Sequence, residues 1–237
     1  MGRALLVLIV MLATACADAA GAACPPPGAG VATVRPAVRA EIGPARQAQI
    51  RRALAAHAYD AIALGDSIMA GWSDDLLRKS LGTRVLNAGF GLDGTEHVLW
   101  RLQAPDWRGQ SPHFVLLLIG TNDTIYPACD VFWGIEAVVQ SAHRVFPNAR
   151  IVVTSILPRG TNMAGSADKI VAVNAALKAA APADGFAFFD VHDAFLCGHK
   201  TPCALYQPDI NLHLTRAGYL LLSDHLQQFL AQLQGAR

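Results

Sequence analysis

Five short, uninterrupted apolar runs constrain this chain more than any other feature: Ala61–Leu64, Val85–Leu86, Phe114–Ile119, Ile151–Ile156 and Phe186–Phe189. Stretches with helical periodicity separate or follow them, at Leu76–Leu81, Thr95–Leu102, Val131–Phe146, Ala167–Ala180 and Arg216–Leu233. A strand without polar alternation is buried on both faces, and strands that alternate with helices build a parallel sheet covered on both sides. The expectation is one α/β domain, a three-layer α/β/α sandwich around a five-stranded parallel sheet. Ala45–His57 adds a helix ahead of the first strand, with Ile50 and Leu54 on one face. Asp130, Ser166 and Thr215 are the expected N-caps of the last three helices.

The segment before this pattern reads as an address. Arg3 precedes the apolar stretch Ala4–Ala13, and small residues and Cys16 follow. This run is too short to span a bilayer and has the shape of an export signal. Ala13-Thr14-Ala15-Cys16 resembles a bacterial lipoprotein signal in which Cys16 is acylated after cleavage; the alternative is an ordinary cut after Ala17-Asp18-Ala19. The expected organisation is a signal peptide over 1–23, a Pro/Gly-rich linker over 24–44 and the α/β domain over 45–237. The expected location is exported: periplasmic, anchored at the outer membrane, or secreted.

Composition excludes several classes of function. Nineteen Lys and Arg against 18 Asp and Glu leave a net charge of +1, which gives no general attraction to nucleic acid or to an anionic membrane. The only membrane contact expected is a lipid on Cys16. Four cysteines remain beyond it. Cys197 and Cys203 bracket a short polar segment that a local disulfide can close, and Cys24 and Cys129 can also pair. The competing reading, a zinc site from His192, Cys197, His199 and Cys203, matches none of the common ligand spacings.

In open α/β sheets, ligands bind beyond the carboxyl ends of the strands. There the chain places Gly65-Asp66-Ser67, Asn87-Ala88-Gly89 and Gly120-Thr121-Asn122-Asp123, and a distant DINLH segment (209–213) precedes the last helix. A serine needs a neighbouring base, and His213 is the histidine placed to serve; His97 is held in reserve. Gly89–Gly94 also satisfies G-x-G-x-x-G, but no acidic residue follows at the spacing a ribose requires.

These blocks resemble the SGNH (GDSL-type) hydrolases: GDSI at 65–68, NAGFGLDGT at 87–95, GTND at 120–123, and His213 followed by LTRAGY. The HVLWRL helix (97–102) and the LPRG turn (157–160) are most similar to platelet-activating-factor acetylhydrolase catalytic subunits. The resemblance implies a flavodoxin-like fold and ester hydrolysis through an acyl-serine, without metal or cofactor. It makes Ser67 the nucleophile and His213 the base, and forms the oxyanion hole from the Ser67 and Leu92 amides and Asn122. The implied substrate is a small acyl ester of a carbohydrate or of a lipid.

Two positions depart from the family pattern. Leu92 stands where the family has glycine, and Ile210 stands where it has the triad aspartate, with Asp209 one residue earlier. Either a bulge lets Asp209 reach the His213 ring, or a backbone carbonyl orients it instead. Trp72, Tyr126, Phe132 and Trp133 near the strand ends read equally as a stacking platform or as core. An acyltransferase using the same serine, and a non-catalytic glycan-binding lipoprotein, are the alternative functions.

Overall fold

The computed structural model describes residues 24–39 and 43–235; the expected signal peptide and Cys16 lie outside the described residues. Five strands, β1 (Ala61–Gly65), β2 (Val85–Gly89), β3 (Phe114–Leu118), β4 (Arg150–Thr154) and β5 (Phe186–Phe189), form one parallel sheet in the order β2-β1-β3-β4-β5. The chain reverses its direction of travel across the sheet between β1 and β3, which opens a crevice at their carboxyl ends.

Successive residues of each strand face opposite layers. Ile62, Leu64, Val115, Leu117, Ile151 and Val153 join one core cluster with residues of α1 (Pro44–Ala56), α4 (Thr95–Leu102), α5 (Ala128–Val145) and α6 (Ala167–Asp184). Ala61, Ala63, Leu116, Leu118 and Val152 join the other, with residues of α2 (Ser67–Gly71), α3 (Asp74–Leu81) and α7 (Arg216–Gly235). The three-layer sandwich expected from the apolar runs is the fold observed. Ile50 and Leu54 are the buried residues of α1.

Several local expectations change. β2 continues through Asn87 to Gly89, although a polar residue reads as a strand end. Asn87 is tolerated in the core because its amide is fully engaged: Nδ2 donates to the Met69 and Trp72 carbonyls at 2.8 and 2.7 Å, and Oδ1 accepts from Gly89 N at 2.9 Å. Asp130 is not an N-cap. Helix α5 starts at Ala128 after Pro127, and Asp130 lies in its first turn, where a carboxylate suits the helix dipole. Ser166 holds the cap position of α6 without a side-chain hydrogen bond, whereas Thr215 Oγ1 accepts from Gly218 N at 3.3 Å.

The expected linker does not run free. Cys24 is bonded to Cys129, Trp133 Nε1 donates to Pro25 O at 2.6 Å, and Thr33 is fully buried. Thr33 Oγ1 donates to Asp130 O, and Thr33 O accepts from Thr95 Oγ1 at 3.0 Å. Residues 24–39 thus strap α4 to α5. Cys197 and Cys203 are also bonded to each other, so neither is free as the thiolate a zinc site would need. Trp72 and Phe132 are core residues, 0% and 7% exposed. Trp72 is anchored by its Nε1–H to Ser223 Oγ at 3.0 Å.

Candidate active site

The sequence order of β1 dictates the position of Ser67. The strand ends at Gly65, where a Cβ would lie 2.0 Å from the Leu118 carbonyl oxygen, so only glycine lets β1 leave the sheet beside β3. Asp66 then caps α2, its Oδ1 accepting from Ile68 N at 2.8 Å. Ser67 is the first helical residue, and its N–H therefore has no helical acceptor. Burial drives the Asp66 carboxyl up to about 7, opposed by the Ile68 amide and reinforced by the charges of Asp123 and Asp93.

His213 reaches this serine from the loop before α7. Its Nε2 lies 3.1 Å from Ser67 Oγ, and its Nδ1 lies 2.6 Å from Asp209 Oδ2. The one-residue offset of the aspartate is absorbed by Asn211, which takes a left-handed conformation at φ 50°. Asp209 Oδ1 accepts from Leu212 N at 3.3 Å, which fixes the carboxylate under the ring. Burial nudges the Asp209 carboxyl upward, but the hydrogen bonds from His213 and from the Leu212 amide outweigh this and hold it below its ordinary value. Of the two readings left open by the sequence, the bulge with Asp209 in contact is the one observed.

The other wall comes from the loops after β2 and β3. Leu92 adopts φ 63°, the conformation the family's glycine would adopt freely. A non-glycine residue there costs about 1–2 kcal/mol, and the Leu92 side chain is 58% exposed, so packing in the fold does not offset that strain. Arg39 Nη1 donates to Leu92 O at 2.6 Å and holds the turn. Asn122 sits half-buried on the facing loop, with Nδ2 donating to Asp93 O at 2.9 Å. One amide hydrogen is spent on that bond and the second is available to a ligand. Among the described residues, neither Ser67 N–H nor Leu92 N–H has a protein acceptor.

Sequence reasoning missed the supports of this loop. Asp93 is fully buried and accepts from Arg101 Nε and Nη2 at 2.6 and 3.0 Å. The Arg101 guanidinium also lies 3.3 Å from the centroid of the Phe90 ring. Its signal in the sequence was an arginine amid the buried residues of HVLWRL. Asp123 fixes the start of α4, accepting from Thr95 N at 3.1 Å, and its Oδ1 lies 3.0 Å from Thr95 Oγ1. Burial foremost raises its carboxyl to about 7, and neighbouring Glu96 adds to the rise. His97 is part of this frame: its Nδ1 accepts from Gly94 N at 2.9 Å, and burial lowers its pKa, both favouring the neutral ring. The LPRG turn ties the two walls together. Arg159 Nη1 donates to Thr121 O at 2.8 Å, and Gly160 N to Asn211 O at 3.1 Å.

A serine, a histidine and an aspartate stand in hydrogen-bonded series at the switch point of a parallel sheet, and the loops that leave the same sheet edge carry unspent N–H donors. The GDSL-like lipase/acylhydrolase family pattern matches residues 63–221. The chain belongs to this family. It is 37% identical over 156 residues to human platelet-activating factor acetylhydrolase IB subunit alpha1, covering 64% of this chain and 67% of the relative. These matches make it an esterase. A GDSL-like lipase from Bacteroides thetaiotaomicron superposes with a TM-score of 0.64 at 21% identity, over 78% of this chain and 97% of that one. An acetyl-xylooligosaccharide esterase from Geobacillus Stearmophilus gives 0.57 at 19%, over 71% and 92%. At those identities the two structures attest the fold alone.

Proposed function

We propose that this GDSL esterase hydrolyses a small acyl ester, of acetyl size, through an acyl-Ser67 intermediate. The observation that carries the reading is the Asp209–His213–Ser67 series at 2.6 and 3.1 Å. Asp209 keeps the proton of His213 on Nδ1, leaving Nε2 to take the Ser67 proton as Oγ attacks the carbonyl carbon. The Ser67 and Leu92 amides and the second Asn122 hydrogen receive the negative charge on the carbonyl oxygen; one such donor is worth on the order of 100- to 1000-fold in rate. His213 then passes its proton to the departing alcohol. Water attacks the acyl-serine by the same route, which restores the hydroxyl and releases the acid.

The family departures that made a binding-only protein conceivable leave this arrangement intact, since Leu92 keeps the glycine-like turn and Asp209 touches the ring. Carbohydrate and lipid esters are the candidate substrates. Hydrolysis of p-nitrophenyl acetate tests the reading, with turnover expected and background rates expected for Ser67→Ala. Equal rates for the two proteins contradict it.

The protein acts outside the cytoplasm. Arg3, the Ala4–Ala13 run and Cys16 support export, and the four cysteines of the described residues are all paired, which suits an oxidising compartment. Palmitate labelling that disappears in Cys16→Ala is the result expected of a lipid anchor. Labelling that persists removes the anchor from the account.

A further inference from the structure

We infer that Leu92, Ile125 and Ile210 form an apolar collar around the mouth of the esterase site and select esters of a small acid with an apolar, alkyl or aryl, alcohol. The inference rests on the proposed site and narrows its substrate class. Each of the three loops that build the site carries one large exposed apolar side chain. Leu92 stands in the loop after β2, Ile125 in the loop after β3, and Ile210 beside Asp209; they are 58%, 78% and 60% exposed. Val38, at 64%, is next to Arg39, which bonds Leu92 O. Single exposed apolar residues scattered over a surface are ordinary, but a grouped set marks a contact surface.

Two of the three are the positions where this chain leaves the family pattern. Leu92 bears backbone strain that glycine would not, and its side chain remains more than half exposed. Ile210 occupies the extra step in the Asp209–His213 loop, beside Asn211 at φ 50°. Strain retained at a site points to use there, and neither side chain has that use within the fold. Ile125 closes a 3₁₀ turn that begins at Asn122. Residues three apart in such a turn eclipse one another, which puts Ile125 on the side of the Asn122 amide.

The part of the ester these residues meet follows from the chemistry. The carbonyl is drawn inward to the oxyanion donors, and the alcohol departs past His213, which protonates it. Ile210 lies on the His213 loop, so the alcohol is the part that crosses the collar. A carbohydrate alcohol is poorly served there. Trp72 and Phe132 are core, and Tyr126 and Trp133 are partly buried against it, whereas the exposed apolar side chains of the three site loops are all aliphatic.

The test compares kcat/KM of the full chain for ethyl acetate, octyl acetate, methyl octanoate and an acetylated xyloside, each below its solubility limit. Octyl acetate is expected to exceed ethyl acetate and the xyloside by roughly tenfold or more, the scale of discrimination an apolar contact gives, and methyl octanoate is expected to be poor. Ile125→Asn and Ile210→Asn, made separately, should each raise KM for octyl acetate several-fold and leave ethyl acetate unchanged. Both residues are more than half exposed, and circular dichroism checks that the variants fold. Equal rates on ethyl and octyl acetate, preference for methyl octanoate or the xyloside, or variants that slow both acetates alike would each overturn the collar. Inactivity on all four esters, together with failure of a fluorophosphonate to label Ser67, would overturn the esterase site itself and the collar with it.

Discussion

Replacing Asp209 by Asn tests the link in the site that the sequence left open. The Asp209 carboxylate accepts from His213 Nδ1 at 2.6 Å and from Leu212 N at 3.3 Å. An Asn in the same rotamer can turn its NH₂ toward Nδ1. The ring then carries its proton on Nε2 and meets Ser67 with a donor instead of an acceptor. In a serine protease with a buried aspartate this exchange costs about 10⁴-fold in kcat, or about 5.4 kcal/mol at 1.36 kcal/mol per decade. Here the Asp209 side chain is 34% exposed and that of His213 38%, so water can take over part of the orienting role and screens the charge. We therefore expect a smaller loss of about 10²- to 10³-fold, on the order of 3–4 kcal/mol. The loss should fall on kcat with KM nearly constant, because Asp209 acts through the ring and not on the substrate. Steady-state p-nitrophenyl acetate kinetics near neutral pH measure both parameters. A variant within threefold of the parent would refute the reasoning and show that something other than Asp209 orients His213.

Other consequences are equally open to measurement. Arg101→Met leaves the buried Asp93 carboxylate unpaired and should destabilise the fold by about 3–5 kcal/mol, read by urea unfolding; a loss under 1 kcal/mol would show that the pair does not hold the loop. Leu92→Gly should relieve more strain than the added chain flexibility costs, raising stability by up to about 1 kcal/mol and Tm by a few degrees. A clear fall in Tm would mean that the Leu92 side chain packs. Burial holds the Glu136 carboxyl up at about 7, with Asp184 adding to the rise. The folded chain therefore keeps a proton there that the unfolded chain releases, and stability should decline as pH rises from about 4.5 to 7, by roughly 3 kcal/mol for this group. Glu136→Gln should flatten that decline in thermal melts at successive pH values, and an unchanged slope would contradict it.

The sheet was legible because its strands are buried on both faces and read as plain apolar runs. Where polarity enters a strand the reading stopped short, as at Asn87, whose side-chain amide donates to Met69 O and Trp72 O, 18 and 15 residues earlier in the chain. Ser67, Asn122 and His213 were legible for a related reason: each closes a recognisable block beyond a strand or before a helix. The Asp93–Arg101 pair was not, because an arginine amid apolar residues hints at burial without naming its partner, which lies eight residues earlier in the preceding loop. The Pro/Gly composition of the linker expected over 24–44 suggested a tether. Its attachment depends on Cys129, Trp133 and Thr95, partners about 60 to 110 residues away that no local window contains. The reach of Asp209 turned on the backbone of Asn211, a left-handed conformation that asparagine tolerates but does not announce.

The central claim is that Ser67 becomes acylated. Rapid quenching of the protein with p-nitrophenyl acetate, followed by mass spectrometry of its peptides, tests this directly. The account predicts an acetyl group on the peptide containing Ser67, formed with a burst of nitrophenolate and absent from Ser67→Ala. Turnover with no acetyl on that peptide, or an equal burst from Ser67→Ala, would contradict it.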